Sequence, residues 1–183
     1  MLKTDLSSYN NSWYIPGSFL KRSLWYICSP LFFRNSFFPF YSLKRAILRS
    51  FGSKIGKGVV IKPKVNIKYP WLLTIGDHSW VGENVWIDNL AQVTIGANVC
   101  LSQGSMLLCG NHDYKRTTFD LWVKPIKIAD GVWIGAQALV CPGVNCRSHA
   151  VLSVKSVAVK DLDEYTIYVG NPAIAIKMRQ IEE

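Results

Sequence analysis

Carboxylates are scarce in this chain. Its 21 lysines and arginines face only 12 aspartates and glutamates, a formal charge of +9 over 183 residues, and residues 13–51 hold no carboxylate at all. Such an imbalance points to an anionic partner: a phosphate-bearing cofactor, a nucleic acid or an acidic membrane face. No motif that reads nucleic acid accompanies the charge, which disfavours that partner. Cysteine is sparse and irregular. The five, Cys28, Cys100, Cys109, Cys141 and Cys146, show no C-x-x-C spacing, which argues against a disulfide framework and a zinc knuckle and fits a reducing cytoplasm. Long apolar runs are missing as well. The uncharged stretches at residues 23–33 and 35–43 are too short to span a bilayer, and Pro30 and Pro39 interrupt them. The first apolar stretch starts late and lacks a small-residue cleavage site, so no secretory leader is expected.

What the N-terminus does contain is aromatic and basic. Residues 1–54 carry Lys21, Arg22, Arg34, Lys44, Arg45 and Arg49 among many aromatics, and the pattern predicts short amphipathic helices. Two readings stand. The segment at residues 13–50 lies on an anionic membrane surface, or its aromatics close one open end of the core behind them.

From Ile55 onward a six-residue beat sets in. Ile55, Ile61 and Ile67 are followed by Ile75, Val81 and Ile87, then Ile95, Leu101 and Leu107, and later Ile128, Ile134, Val140, Cys146 and Leu152. Four residues after these positions come side chains that are mostly small or β-branched, among them Val59, Val65, Ser79, Val85, Val99, Ser105, Val132, Ala138 and Val144. No helix has this period. A hexad with two inward side chains makes one short strand and one corner, and three hexads return the chain above its start. The expectation is an all-β parallel β-helix, a triangular prism whose aliphatics stack in columns. Each buried Val, Leu or Ile contributes at most roughly 1.5 to 3 kcal/mol, enough in sum to offset the ordering of the chain. Glycines following the aliphatic, such as Gly82 and Gly135, are expected where a corner needs backbone freedom.

The beat stops once. Leu107 should be followed by another aliphatic six residues on, yet the next clear hexad begins at Ile128. The intervening residues must leave the prism, and residues 113–125 are expected to form an inserted loop. His112 stands at its root, ahead of Lys115, Arg116, Phe119 and Trp122. A lone loop histidine is often an ordinary surface residue, but a loop root on a rigid stack is also a good place for chemistry.

The tandem hexads, "GNHDY", "IADGVWIGAQALVCPGV" and "VGNPAIAIK" resemble the hexapeptide-repeat acyltransferases, in the branch of the colanic acid biosynthesis, maltose and galactoside O-acetyltransferases. The likeness covers residues 55–177. It implies a left-handed β-helix, against the usual crossover rule, assembled as a homotrimer with acetyl-coenzyme A between neighbouring prisms and no metal. It further implies transfer of an acetyl group to a sugar hydroxyl, the acceptor being a saccharide, lipid-linked or free. His112 is then the general base, since neutral imidazole can take the hydroxyl proton as oxygen attacks. Asp113 would orient the imidazole or grip the acceptor, and a backbone carbonyl is an equal candidate for orienting the Nδ1 proton. Trp86, Asp88, Asn89, Ser102 and Gln103 are the candidates for the acceptor, although corner polar groups also bond their own backbone. The family's coenzyme positions fall on Trp133, Gly135, Ala136, Val154, Val159, Lys160 and Lys177. The sequence departs from the family at "CRSHAV", and it lacks the arginine often found after N-P-A, so that either the phosphate grip is weaker or Arg179 substitutes. Asn171 and Pro172 suit the start of a short C-terminal helix over residues 171–183.

Three rivals accompany this reading. Cys109 could act as a nucleophile, though nothing nearby would activate it. His78, His112 and His149 could hold zinc, as in hexapeptide-repeat carbonic anhydrases, but that family's close histidine pair is absent. A non-catalytic, membrane-apposed binding module would keep the fold without the chemistry.

Overall fold

A computed structural model describes residues 2–183. The repeat forms the expected prism of parallel strands, with three faces. The first carries the strands Lys54–Ile55, Leu73–Ile75, Val93–Ile95, Ile126–Ile128 and Asn145–Cys146. The second begins at Val60–Ile61 and ends at Thr166–Gly170, and the third runs from Asn66–Ile67 to Val157–Ala158. Register keeps the columns aligned: Ile55, Ile75, Ile95, Ile128 and Cys146 pair in order up the first face, and Ile67, Ile87, Leu107, Val140 and Ala158 up the third. All of these are buried. Ser79 sits among the aliphatics because its hydroxyl donates to the Gly96 carbonyl (2.7 Å) and accepts from the Val99 N–H (3.0 Å).

The glycines that follow the aliphatics have a different cause from the one expected. Left-handed backbone at the corners is carried mainly by others, including Lys64, His78, Asn84, Asn98, Gln137 and His149. At Gly135 the limit is space instead. A Cβ there would lie 2.6 Å from the Val154 nitrogen and 2.8 Å from the Leu152 oxygen, backbone atoms of the next coil.

N–H groups just after the strands donate toward the following coil, as in Gly56 to Ile75 (2.8 Å), Lys62 to Val81 (2.9 Å) and Lys68 to Ile87 (3.1 Å). The first coil therefore presents bare carbonyls at the end of the prism, and two helices cover them. Helix α1 (Phe19–Phe32) and helix α2 (Tyr41–Ser50) supply the donors. Lys44, fully buried, places Nζ 3.1 Å from both Ile61 O and Lys62 O; Arg45 reaches Val59 O (2.8 Å); Arg49 holds Ile55 O through Nε and Nη2 (3.0 and 2.7 Å); Trp25 Nε1 reaches Ile67 O (2.8 Å). The donors to these carbonyls are cations as well as an aromatic side chain. The outer side of α1 stays exposed, with Phe19, Leu20, Tyr26 and Ile27 in solvent. No helix is long and apolar enough to cross a membrane among the described residues.

Two expectations need correction. Residues 171–183 contain no helix; Ala173–Met178 is a strand that folds back antiparallel on Thr166–Gly170. The alternation of "AIAIKM" suits a strand, and Gly170, with φ +105°, opens the reversing turn. The insertion is not a plain loop either. Gly110–His112 and Leu121–Val123 pair antiparallel as a hairpin standing off the prism, with His112 opposite Leu121.

Candidate active site

His112 is half-buried on the first arm of this hairpin. Its Nδ1 lies 2.9 Å from the carbonyl oxygen of Phe119. A carbonyl can only accept, so Nδ1 carries the proton and the lone pair of the neutral ring belongs to Nε2. Among the described residues Nε2 has no hydrogen-bond partner. The ring is also held flat, stacked on the Phe119 ring with centroids 4.4 Å apart and planes 6° apart, while Tyr9 approaches from another side at 5.7 Å. Phe119 adopts φ +51°, which turns the returning strand back toward the histidine.

Asp113 does not orient the imidazole. Its carboxylate accepts from Lys115 N (3.1 Å) and faces Arg116 Nε at 3.7 Å, and Arg116 also pairs with Asp120 (2.9 Å). Hydrogen bonds from Thr118 and then Arg116 hold the Asp120 carboxyl below its ordinary range. These contacts shape the tip. A side chain one residue from His112 has closer partners in its own turn, which is why the carbonyl across the hairpin takes the Nδ1 proton.

His112 lines a polar cleft of about 440 Å³ together with Tyr9, Asn11, Ser12, Tyr14, Arg22, Lys68 and Tyr69. Most of that wall comes from the N-terminal segment, which folds over the hairpin. Asp5 N donates to Thr117 O (2.8 Å), the Tyr14 hydroxyl to Leu90 O (2.6 Å), and Trp71 Nε1 to Pro16 O (2.5 Å). None of these residues was singled out from the sequence except Arg22, as a surface cation. The run "SYNNSWY" at residues 8–14, polar and aromatic without hydrophobic period, was the available signal.

The expected acceptor residues divide. Asn89 is fully buried and both ends of its amide are used on Tyr69, accepting from its N–H (3.0 Å) and donating to its carbonyl (2.6 Å). It fixes one coil to the next. Asp88 is buried too and faces Lys68 Nζ at 3.0 Å, so it acts on the cleft through that lysine. Trp86 is exposed on the third face, outside the cleft wall. Ser102 and Gln103 belong elsewhere.

They line a second groove, of about 460 Å³, with Trp133, Gly135, Ala136, Val154 and Ser153 on the edge between the second and third faces. Ser102 Oγ accepts from Trp133 Nε1 at 2.9 Å, which sets the indole against that edge. Four of the seven coenzyme candidates therefore gather in one place. Val159 and Lys160 follow the strand Val157–Ala158 at the next edge, and Lys177 is exposed on the terminal strand opposite Ile167. Arg179 does not take the missing arginine's place: its Nη1 donates to Gly131 O (2.9 Å) and His149 O (3.2 Å).

The rivals find no geometry. Cys109 is fully buried, and burial pushes its thiol up to about 11. His78 and His149 occupy corners between the first and second faces, His149 stacked on Tyr165 at 4.6 Å, away from the edge that carries His112. Among the described residues no group of three or more His, Cys, Asp or Glu could hold a metal ion.

No family model matches the chain. A relative from Escherichia coli (strain K12), WcaF, assigned as a colanic acid biosynthesis acetyltransferase, is 39% identical over 163 residues, covering 89% of this chain and 90% of its own. The chain belongs to the hexapeptide-repeat acetyltransferases. Solved structures agree with that membership. A hexapeptide-repeat acetyltransferase of Vibrio cholerae O1 biovar eltor, complexed with acetyl-coenzyme A, superposes with a TM-score of 0.79 at 25% identity, over 88% of each chain. A maltose O-acetyltransferase of Clostridium difficile 630 gives 0.75 at 26% identity, also over 88% of each. In this hexapeptide-repeat acetyltransferase His112 and Trp133 thus lie in concavities on different edges of one prism.

Proposed function

We propose that the protein transfers the acetyl group of acetyl-coenzyme A to a hydroxyl of a saccharide, with His112 as general base and both substrates bound together. The carrying observation is the Nδ1 contact to Phe119 O, which leaves Nε2 with a free lone pair in a cleft lined by hydroxyl, amide and cationic groups. The acceptor hydroxyl attacks the thioester carbonyl carbon as Nε2 takes its proton. The tetrahedral intermediate then expels the thiolate, which recovers that proton from the imidazolium. Tyr9, Asn11, Ser12 and Tyr14 would meet the sugar. The groove of Trp133, Gly135, Ala136 and Val154, with Ser102 and Gln103, would take the coenzyme arm, and Lys160 and Lys177 its phosphates.

The separation of the two concavities supports a homotrimer. Within one prism they lie on different edges, but a three-fold, head-to-tail arrangement sets the histidine edge of one protomer against the groove edge of the next and closes the ring. Exposed Trp80, Trp133, Val154, Ile174 and Ile176 suit such a contact. The relation to WcaF supports a role in polysaccharide biosynthesis; a place at the cytoplasmic face of the membrane belongs to the same proposal.

The test is acetyl-coenzyme A turnover against a panel of free and lipid-linked sugars, wild type beside His112→Ala. A loss of more than about 10²-fold is expected; unchanged turnover would remove His112 from the chemistry.

A further inference from the structure

The histidine cleft does not end at its own walls. Arg22, Lys68 and Tyr69 line it, and the same three residues line a second, mostly apolar cavity of about 530 Å³ completed by Phe19, Ser23, Trp25, Tyr26 and Ile27. The two spaces adjoin, and their shared wall carries two cations. Residues 19, 22, 23, 26 and 27 recur at helical spacing, so a single stripe of α1 provides one side of the apolar cavity. Phe19, Tyr26 and Ile27 are 78%, 81% and 61% exposed, more than the packing of α1 requires, since its inner side already buries Trp25 and Ser29. Arg22 is exposed and has no carboxylate partner among the described residues.

We infer that this cavity binds the acceptor's lipid tail: the acceptor is a saccharide joined through a phosphate or diphosphate to a long apolar chain. The ordering of groups along the surface is what commits the site to this ligand. An apolar trough, a pair of cations and a polar cleft with a base follow one another, matching tail, phosphate and sugar in sequence. A guanidinium suits a phosphate through paired hydrogen bonds, and Lys68 adds a point charge whose own pairing with Asp88 at 3.0 Å keeps it in place. A water-soluble sugar would fill the polar cleft and leave the trough wet. An anionic bilayer would use the apolar side of α1 and its cations but would leave the adjoining polar cleft with its histidine unused.

This assignment rests on the reading of the histidine cleft as the acceptor site, and two measurements separate their fates. The first needs no turnover. Farnesyl diphosphate is titrated into the purified full-length protein by calorimetry, beside farnesol and inorganic diphosphate. Farnesyl diphosphate is expected to bind at least about 10-fold more tightly than either fragment, and Arg22→Gln to lose about 10-fold of that affinity, the size of one charge-assisted hydrogen bond. Equal binding of all three, or an Arg22→Gln protein that binds like wild type, overturns the assignment, as does binding only to anionic phospholipid vesicles without competition by farnesyl diphosphate. The second measurement compares acetylation of one sugar with and without a prenyl diphosphate. In wild type the tail is expected to lower KM at least about 10-fold, and the double variant Tyr26→Ser/Ile27→Ser to abolish that advantage while turning over the free sugar normally. A variant that keeps the advantage overturns the trough. Failure of every acceptor with every protein would instead count against the acetyl-transfer reading, and the calorimetry would still decide the trough.

Discussion

The Phe119 carbonyl oxygen lies 2.9 Å from Nδ1 of His112, across a hairpin whose two arms leave the prism together. A backbone atom therefore fixes the tautomer, and the side chain of Phe119 fixes the ring plane. Phe119→Gly separates these contributions, because glycine keeps the carbonyl and accepts φ +51° without strain. The loss of the stacking ring is expected to lower kcat about 10-fold, since a base held more loosely misses its geometry, with KM for acetyl-coenzyme A unchanged. Steady-state kinetics on both substrates check this, and an unaltered kcat would show that the stack is dispensable.

Tyr14 pins the N-terminal segment over the same cleft through its 2.6 Å bond to Leu90 O, and burial, then neighbouring Tyr69, Asp88 and Cys109, raise its phenol above the ordinary range. Tyr14→Phe leaves that carbonyl without its donor at a cost of about 1 kcal/mol. Faster amide exchange over residues 5–16 and a raised acceptor KM are expected, without change in the coenzyme KM. Identical exchange in the two proteins would contradict a pinning role.

Burial pushes the Lys44 ammonium down to about 8 from an ordinary 10.5. Between these values the unfolded chain holds a proton that the folded chain has released, so this group makes stability rise with pH from about 8 to 10.5 and stay level on either side. Lys44→Met should lack that rise. It should also be less stable at neutral pH, because the buried Ile61 carbonyl loses its donor at about 1–3 kcal/mol and the part-buried Lys62 carbonyl loses one as well. Urea melts of both proteins across about pH 7 to 11 give the difference directly.

A thiol raised to about 11 and sealed from solvent is protonated at neutral pH and cannot carry an acetyl group. Cys109→Ala is expected to keep turnover within about threefold, and intact-mass measurement after incubation with acetyl-coenzyme A should find no acylated cysteine. A large loss with a trapped acyl-enzyme would reinstate the thiol.

The columns were legible because they repeat. Ile55, Ile75, Ile95 and Ile128 announce the first face by spacing alone, and the pause after Leu107 marks the departure of the hairpin. The histidine cleft was only half legible. Tyr14 meets Leu90 across 76 positions, and no local pattern encodes that contact. Phe119 contributes a carbonyl, which every residue possesses, so its identity carried no hint of the role. Asn89 looked like a polar corner open to a sugar, but the coil below consumes both ends of its amide. At the C-terminus, Asn171 and Pro172 are consistent with either a helix start or a reversing turn, and pairing with Thr166–Gly170 decided for the strand.

The bare carbonyls of the first coil have an implication for how the molecules keep apart. A stack with acceptors at one end invites the donors of another molecule's final coil, and repetition of that docking would grow a filament. Lys44, Arg45, Arg49 and Trp25 occupy those acceptors within the same chain. The basic helices are thus a terminus in the literal sense: they end the lattice of one prism where a second could otherwise begin.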